Sequence, residues 1–94
     1  MIILRVEHKI QNFDDWKKVF DSDPIKRKQS GVRRYRIFRP TDDPNYVIID
    51  LEFDDAKSAE VTLGALRTLW RQAVGKIMMN PQARILNMVE AFEY

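Results

Sequence analysis

Residues 46–53 read Tyr-Val-Ile-Ile-Asp-Leu-Glu-Phe, and they carry the clearest structural pattern in the chain. Every second residue is large and apolar, whereas the residues between them include an aspartate and a glutamate. A period of two predicts a β-strand with one buried face. The preceding residues 41–45, Thr-Asp-Asp-Pro-Asn, are all strong turn formers. Together with the alternating residues 32–39, they predict an antiparallel hairpin.

A strand and an aromatic helix precede this hairpin. Residues 2–10 alternate between apolar and polar side chains, which predicts another strand. Asn12 provides an N-cap for a helix over 13–22, whose apolar stripe is rich in aromatic residues. The Asp-Pro pair at 23–24 is expected to restart or kink this helix, and the Ser-Gly pair at 30–31 to end it.

A second helix and a last strand follow the hairpin. The aspartates at 54–55 supply a cap and a favourable charge at the start of the helix. Leu63 and Trp70 mark its buried side, and Gly64 is a weak point at which it could divide in two. The last strand is predicted over about 83–92, with apolar residues on both faces.

The resulting β-α-β-β-α-β order predicts a ferredoxin-like α+β fold, with both helices on one face of a four-stranded antiparallel sheet. The length of 94 residues predicts a single domain over 1–94. The opposite face of the sheet mixes apolar residues with charges of both signs. A second copy of the chain would cover such a face, so a homodimer is expected. The alternative is an ordinary solvated face.

Composition excludes several classes of site. The chain has no cysteine and one histidine, which excludes thiol nucleophiles, disulfides and a typical zinc site. No run approaches the roughly 20 apolar residues of a membrane span. Arg5 follows the start too closely for a secretory signal. A cytoplasmic protein without a membrane or metal partner is therefore expected.

Charge is unevenly distributed along the chain. Between Pro24 and Thr41 there are seven basic residues and no acidic one, in a chain of formal net charge +2. The same strand order occurs in an RNA-binding module that presents aromatic residues on its open sheet face. Here that face carries Glu7, Asp50 and Glu52, which would repel phosphate, so nucleic-acid binding is not expected. The arginines are instead expected to pair with these acids or to attract an anionic ligand.

Three segments resemble a known group of proteins. They are residues 6–21 (VEHKIQNFDDWKKVFD), the hairpin and strand over 36–54, and residues 80–85 (NPQARI). The chain resembles, over nearly its whole length, the dimeric α+β barrel proteins related to the antibiotic biosynthesis monooxygenase superfamily. The resemblance implies two sheets packed as a barrel, helices outside, and a pocket between sheet and helices in each subunit.

The resemblance also bears on chemistry. Members of the group include oxygenases that act on aromatic polyketides without a cofactor, haem-degrading enzymes and isomerases. The haem degraders are similar to one another in using an asparagine, a tryptophan and a histidine. Here the histidine lies on the first strand instead of the second helix, so haem breakdown is not expected.

His8 is the leading candidate for a catalytic group, because it is the only histidine and lies on the apolar face of the first strand. Histidine exchanges protons near neutral pH. In a pocket it could deprotonate a phenol or an activated carbon acid, whose anion then supplies the electron that dioxygen needs. The alternative is a structural histidine at a strand end, bonded to a backbone carbonyl or a carboxylate.

Four other residues are candidates for the same site. Tyr35 is expected to point into the same layer as His8, where it could act as a second catalytic group by donating a hydrogen bond to a bound carbonyl. Trp16 and Trp70 come from different helices and could form flat walls for an aromatic ligand. Asn87 interrupts an apolar row on the last strand, so its amide requires a partner, which a ligand, a water molecule or the neighbouring chain could supply. For the aromatic residues, the alternative is ordinary core packing.

These observations predict a small monooxygenase-like enzyme that acts without a cofactor on an aromatic or polyketide-like molecule. The alternative is a non-catalytic dimeric module that binds a ligand or has a structural role. The residues alone do not choose between the two.

Overall fold

The chain folds in the β-α-β-β-α-β order that the sequence predicts. The computed structural model describes residues 1–73 and 78–94. Within these ranges, the four strands form one antiparallel sheet in the order β2-β3-β1-β4, a ferredoxin-like α+β arrangement. The elements are β1 (Ile2–Ile10), α1 (Phe13–Asp21), β2 (Arg34–Phe38), β3 (Tyr46–Phe53), α2 (Ala56–Ala73) and β4 (Met78–Asn87).

β1 is an inner strand that pairs with β3 along one edge and with β4 along the other. Leu4, for example, lies opposite Leu51 of β3 and Ile85 of β4. The alternation of β1 sends Leu4, Val6 and His8 to the helix side, where all three are buried. The strands predicted over 2–10 and 46–53 are confirmed.

Both helices contribute buried residues to one core with this side of the sheet, chiefly Trp16 from α1 and Leu63 and Trp70 from α2. Asn12 caps α1 as predicted, since its Oδ1 accepts a hydrogen bond from the backbone N–H of Asp15 at 3.0 Å. α2 runs close to the sheet, whereas α1 stands farther from it. Long aromatic side chains therefore span the space under α1.

The segment after α1 differs from the prediction. The structure ends α1 at Asp21 and forms a series of turns over 24–31, where the sequence predicts a restarted helix. Asp23 and Lys26 adopt left-handed backbone conformations, with φ of 56° and 51°, which an α-helix cannot continue through. The backbone N–H of Arg27 binds Asp23 Oδ1 at 2.9 Å instead.

The last strand also differs from the prediction. β4 begins at Met78, before the proline, because a β-bulge carries the strand through Asn80 and Pro81. Asn80 has a φ of 53°, and β4 is an edge strand, which is where a sheet tolerates proline. The strand ends at Asn87, and residues 88–94 form no regular element.

The face of the sheet away from the helices is organised by ion pairs. Arg5 donates two hydrogen bonds to Asp50, at 2.8 and 2.9 Å. Arg34 Nε lies 2.9 Å from Glu52 Oε2. Both carboxylate residues are buried, whereas the apolar ring of Phe38 on the same face is 42% exposed. The pairing predicted between the basic stretch and the acids of this face is thus confirmed for Arg34, whereas Arg5 lies outside that stretch.

Substitution of Gly31 and of Gly64 by alanine is expected to have opposite effects on stability. α2 is continuous through Gly64, so the predicted division is wrong. A Cβ there would meet no atom within 4 Å, so Gly64→Ala is expected to raise the free energy of unfolding by about 0.5–1 kcal/mol. Gly31 has a φ of +99°, so Gly31→Ala is expected to lower it by about 1–2 kcal/mol. Urea unfolding at one fixed protein concentration measures both, and a stabilising Gly31→Ala would contradict the left-handed turn.

Candidate functional site

A cavity lies between the helix-facing side of the sheet and the two helices. Its volume is about 110 Å³. Its walls are largely apolar, and the exposed residues Val19 and Pro24 lie at its rim. The lining consists of Val6, His8, Trp16, Val19, Phe20, Pro24, Ile25, Arg27, Ile49, Leu51, Leu66, Leu69, Trp70 and Met78.

β1 brings His8 to this cavity at a point where the sheet is irregular. His8 lies on the buried side of the strand and is 2% exposed. Between Glu7 and Lys9, one residue of β1 is left opposite two residues of β4, since Glu7 pairs with Gln82 and Lys9 with Met79. Bulges of this kind redirect side chains and are frequent beside functional sites.

The hydrogen bonding of His8 determines which ring nitrogen is basic. Nδ1 lies 3.1 Å from the backbone oxygen of Lys9, and because a carbonyl only accepts, Nδ1 carries the proton. Nε2 is then the nitrogen with a free lone pair. Burial lowers the pKa of His8, and the hydrogen bond to Lys9 opposes this shift with a smaller effect. His8 is therefore neutral near pH 7, in the form that accepts a proton. The backbone contact expected of a structural histidine is present, and it leaves Nε2 available.

Aromatic rings continue the wall of the cavity from His8. The ring centroids of His8 and Trp16 are 6.0 Å apart, and Trp16 stacks on Phe20 at 5.2 Å with an interplanar angle of 27°. Trp70 of α2 lines the cavity from the other helix and is 9% exposed. The structure thus brings His8, Trp16 and Trp70 to one cavity. Their part in ligand binding stays a prediction.

Arg27 is a cavity residue that the sequence pattern does not single out. Its guanidinium carbon lies 4.0 Å from the ring centroid of Phe20 and 5.0 Å from that of Tyr35. One of its nitrogens donates a hydrogen bond to the backbone oxygen of Phe20 at 2.7 Å. The available signal is the run of basic residues over 24–41, but only the turns after α1 bring this arginine to the cavity.

Two predicted site residues lie outside the cavity lining. Tyr35 is 43% exposed on β2, with its ring edge against Phe20 at 5.0 Å. The expectation that it shares a layer with His8 does not place it beside His8, because β3 separates β2 from β1 and Tyr35 pairs with Leu51, which lies opposite Leu4 instead of His8. Asn87 is exposed at the end of β4, and its part in ligand binding stays a prediction.

Residues 1–73 and 78–94 contain neither a candidate membrane-spanning helix nor a candidate metal cluster. No helix in these ranges is long and apolar enough to cross a membrane. The same ranges hold no group of three or more histidine, cysteine, aspartate or glutamate residues arranged to bind a metal ion.

Solved structures with the same fold are found at low sequence identity. A mutant of SnoaB, a cofactor-independent oxygenase from Streptomyces nogalater, has a TM-score of 0.77 and 10% identity, over 99% of this chain and 97% of that chain. An antibiotic biosynthesis monooxygenase has a TM-score of 0.70 and 14% identity, over 96% and 100%. A dimeric ferredoxin-like protein from an uncultured marine organism has a TM-score of 0.65 and 8% identity, over 100% of both chains.

No protein-family model and no curated protein matches the sequence. At the identities of the structural neighbours, the likeness establishes the fold alone. It confirms the antibiotic biosynthesis monooxygenase-like fold that the resemblance in sequence implies.

The lowered pKa of His8 predicts a pH dependence of stability. In the unfolded chain His8 takes up its proton near its ordinary pKa of 6.5, whereas in the folded protein it does so only at lower pH. Between these two pKa values the unfolded state therefore binds more protons than the folded state. The free energy of unfolding falls as the pH drops from 6.5 towards the pKa of His8 in the folded protein.

The variant His8→Gln lacks this effect. Between about pH 7.5 and about pH 5, its free energy of unfolding is expected to fall less than that of the wild type. Denaturant unfolding across this range measures the difference, and the carboxylates common to both proteins cancel. Equal losses in the two proteins would contradict a buried neutral His8.

Proposed function

We propose that the protein is a small cytoplasmic enzyme that oxygenates an aromatic molecule with dioxygen and without a cofactor. The observation that carries the proposal is a neutral, buried His8 on the wall of an apolar cavity, with its Nδ1–H held by the backbone. A base of this kind suits substrates whose anions react with dioxygen directly. The fold shared with a cofactor-independent oxygenase supports the same proposal.

His8 acts as the general base through Nε2. The hydrogen bond from Nδ1 to Lys9 fixes the tautomer and the orientation of the ring, so that the imidazole needs no rearrangement to accept a proton. The apolar walls supplied by Trp16 and Trp70 exclude water from the resulting ion pair. Exclusion of water strengthens the attraction between the substrate anion and the imidazolium.

The reaction balances without an external reductant. With an anthrone, His8 removes a proton from the methylene carbon between the two rings, and the carbanion transfers electrons to dioxygen as a carbon–oxygen bond forms. Loss of the second methylene proton breaks the oxygen–oxygen bond of the peroxide and leaves a ketone. One oxygen atom enters the product and the other leaves as water. The four electrons that dioxygen accepts come from the methylene carbon.

The size of the cavity favours one aromatic ring inside and the rest of the molecule towards the opening. A volume of about 110 Å³ is somewhat less than the roughly 150 Å³ of an engineered protein cavity that binds benzene. A ligand-binding protein without catalysis would use the same cavity, and this is the alternative function. Measurement of oxygen uptake separates the two.

Oxygen consumption with a panel of anthrones and quinols tests the catalytic proposal. We expect the wild type to consume oxygen and His8→Gln to be slower by about 100-fold or more, the usual contribution of a general base. Lys57→Gln is the control, because Lys57 is an exposed residue of α2 outside the cavity lining; its rate is expected to stay within about twofold of the wild type. Equal rates for wild type and His8→Gln, or no uptake by either, would defeat the catalytic claim.

We also propose that the protein is a homodimer in which two sheets stack through their open faces. On this face Asp50 and Glu52 are already neutralised by arginines, and Tyr46 donates a hydrogen bond to Glu7 at 2.6 Å. The acids therefore add little charge repulsion to a contact between two copies. Phe38 is left as an exposed ring on the same face. A fold neighbour described as dimeric supports the proposal.

Phe38→Glu tests the dimer. It places a negative charge on the proposed contact, and light scattering at micromolar concentration is expected to show the wild type as a dimer and the variant as a monomer. Val61→Glu is the control, since Val61 is 66% exposed on the helix side of the molecule. A monomeric wild type, or a dimer that survives Phe38→Glu, would refute stacking through this face.

A further inference from the structure

An open groove adjoins the apolar cavity, and Arg27 lines both. The groove is lined by further basic residues, Lys28, Arg33 and Arg34, and by one acidic residue, Asp23. The turns after α1 and the start of β2 bring these side chains together. The cavity that holds His8 therefore opens beside a group of cations.

The cations of this groove are not equally available to a ligand. Arg33 binds Asp54 at 2.6 Å and Arg34 lies 2.9 Å from Glu52, so each already has a carboxylate partner. Arg27 also forms an ion pair, with Asp23, but at 3.5 Å this pair is longer than a good charge-assisted hydrogen bond. It is the basic residue that reaches the cavity itself.

The surroundings of Arg27 strengthen its attraction for an anion. Its side chain is only 15% exposed, and its guanidinium lies against the rings of Phe20 and Tyr35. A guanidinium has five N–H donors, and the contact with the backbone oxygen of Phe20 uses one nitrogen. Charge interactions are stronger where water is partly excluded.

We propose that the ligand of the cavity is an aromatic acid, with its ring among the apolar walls and its anionic group bound by Arg27 at the opening. This inference rests on the proposed function in using the same cavity, and it names the chemical class of the molecule that enters.

The arrangement also orients the ligand. His8, Trp16 and Phe20 follow one another along the wall, and Arg27 stacks on Phe20 at the far end of this row. The group that His8 deprotonates therefore lies at the opposite end of the ring system from the anionic group. A substrate that carried its carboxylate next to the acidic proton could not contact His8 and Arg27 at the same time.

Two fluorescent probes with the same aromatic skeleton test this inference. 1-Anilinonaphthalene-8-sulfonate carries an anionic group, and N-phenyl-1-naphthylamine is the same molecule without it. Arg27→Gln is expected to raise the Kd of the anionic probe about tenfold, as expected for loss of a charge-assisted contact, and to change that of the neutral probe by less than about twofold. Arg27→Lys is expected to restore part of the loss.

Arg67→Gln is the matched control, because Arg67 is an exposed cation of α2 outside both the cavity and the groove. It is expected to leave both Kd values unchanged. The salt dependence of probe binding to the wild type is a second test, which requires no variant. Raising sodium chloride from about 20 mM to about 500 mM is expected to raise the Kd of the anionic probe several-fold and to leave the Kd of the neutral probe unchanged.

The outcomes separate this inference from the proposed function. If salt and Arg27→Gln change the Kd values of the two probes alike, the inference is overturned. Binding of the neutral probe would still support the cavity as a ligand site. If neither probe binds the wild type, the inference fails, and oxygen uptake alone then decides the proposed function. Selective loss of the anionic probe supports the inference whatever the result of the oxygen measurement.

Discussion

The pairing of β1 with two neighbours at once is the constraint on which the rest of the molecule depends. Side chains alternate along a strand, so this register sends Leu4, Val6 and His8 to the helices and Arg5 to the opposite face. A slip of one residue would bury Arg5 in the core and expel His8 from the cavity. The same register places Arg5 opposite Asp50, so the apolar core and the ion pair of the other face both oppose a slip.

The cavity exists because α1 and the sheet do not close on each other. α1 carries large rings on its buried side, and these hold the helix away from the sheet, whereas the smaller residues of α2, such as Ala59, allow close packing. The bulge at Asn80–Pro81 interrupts the ladder opposite His8, so the floor of the cavity is irregular where its basic group lies. Aromatic packing and bulge together open space at a point where a regular sheet would be filled.

Strong alternation made β1 and β3 predictable from the sequence, because burial on one face leaves a period that no other structure produces. Local patterns were less informative where the backbone is unusual. The left-handed conformations of Asp23 and Lys26, and the bulge at Asn80–Pro81, depend on contacts made after the chain folds, so local patterns predict a helix that continues too far and a β4 that begins too late. The placement of His8 followed from its position in β1. The placement of Arg27 did not, because it depends on how the turns after α1 pack against Phe20.

The basic stretch of the sequence acquires two roles once it is folded. β2 carries Arg34 to the open face of the sheet, where Glu52 neutralises it, and Arg33 pairs with Asp54 at the end of β3. The turns before β2 carry Arg27 to the other side of the sheet, where aromatic rings surround it. A charge held by a carboxylate stabilises the fold, whereas a charge held mainly by rings keeps its capacity to bind an anion. The difference in partner, and not the number of basic residues, distinguishes the arginines that serve the fold from the one that serves the cavity.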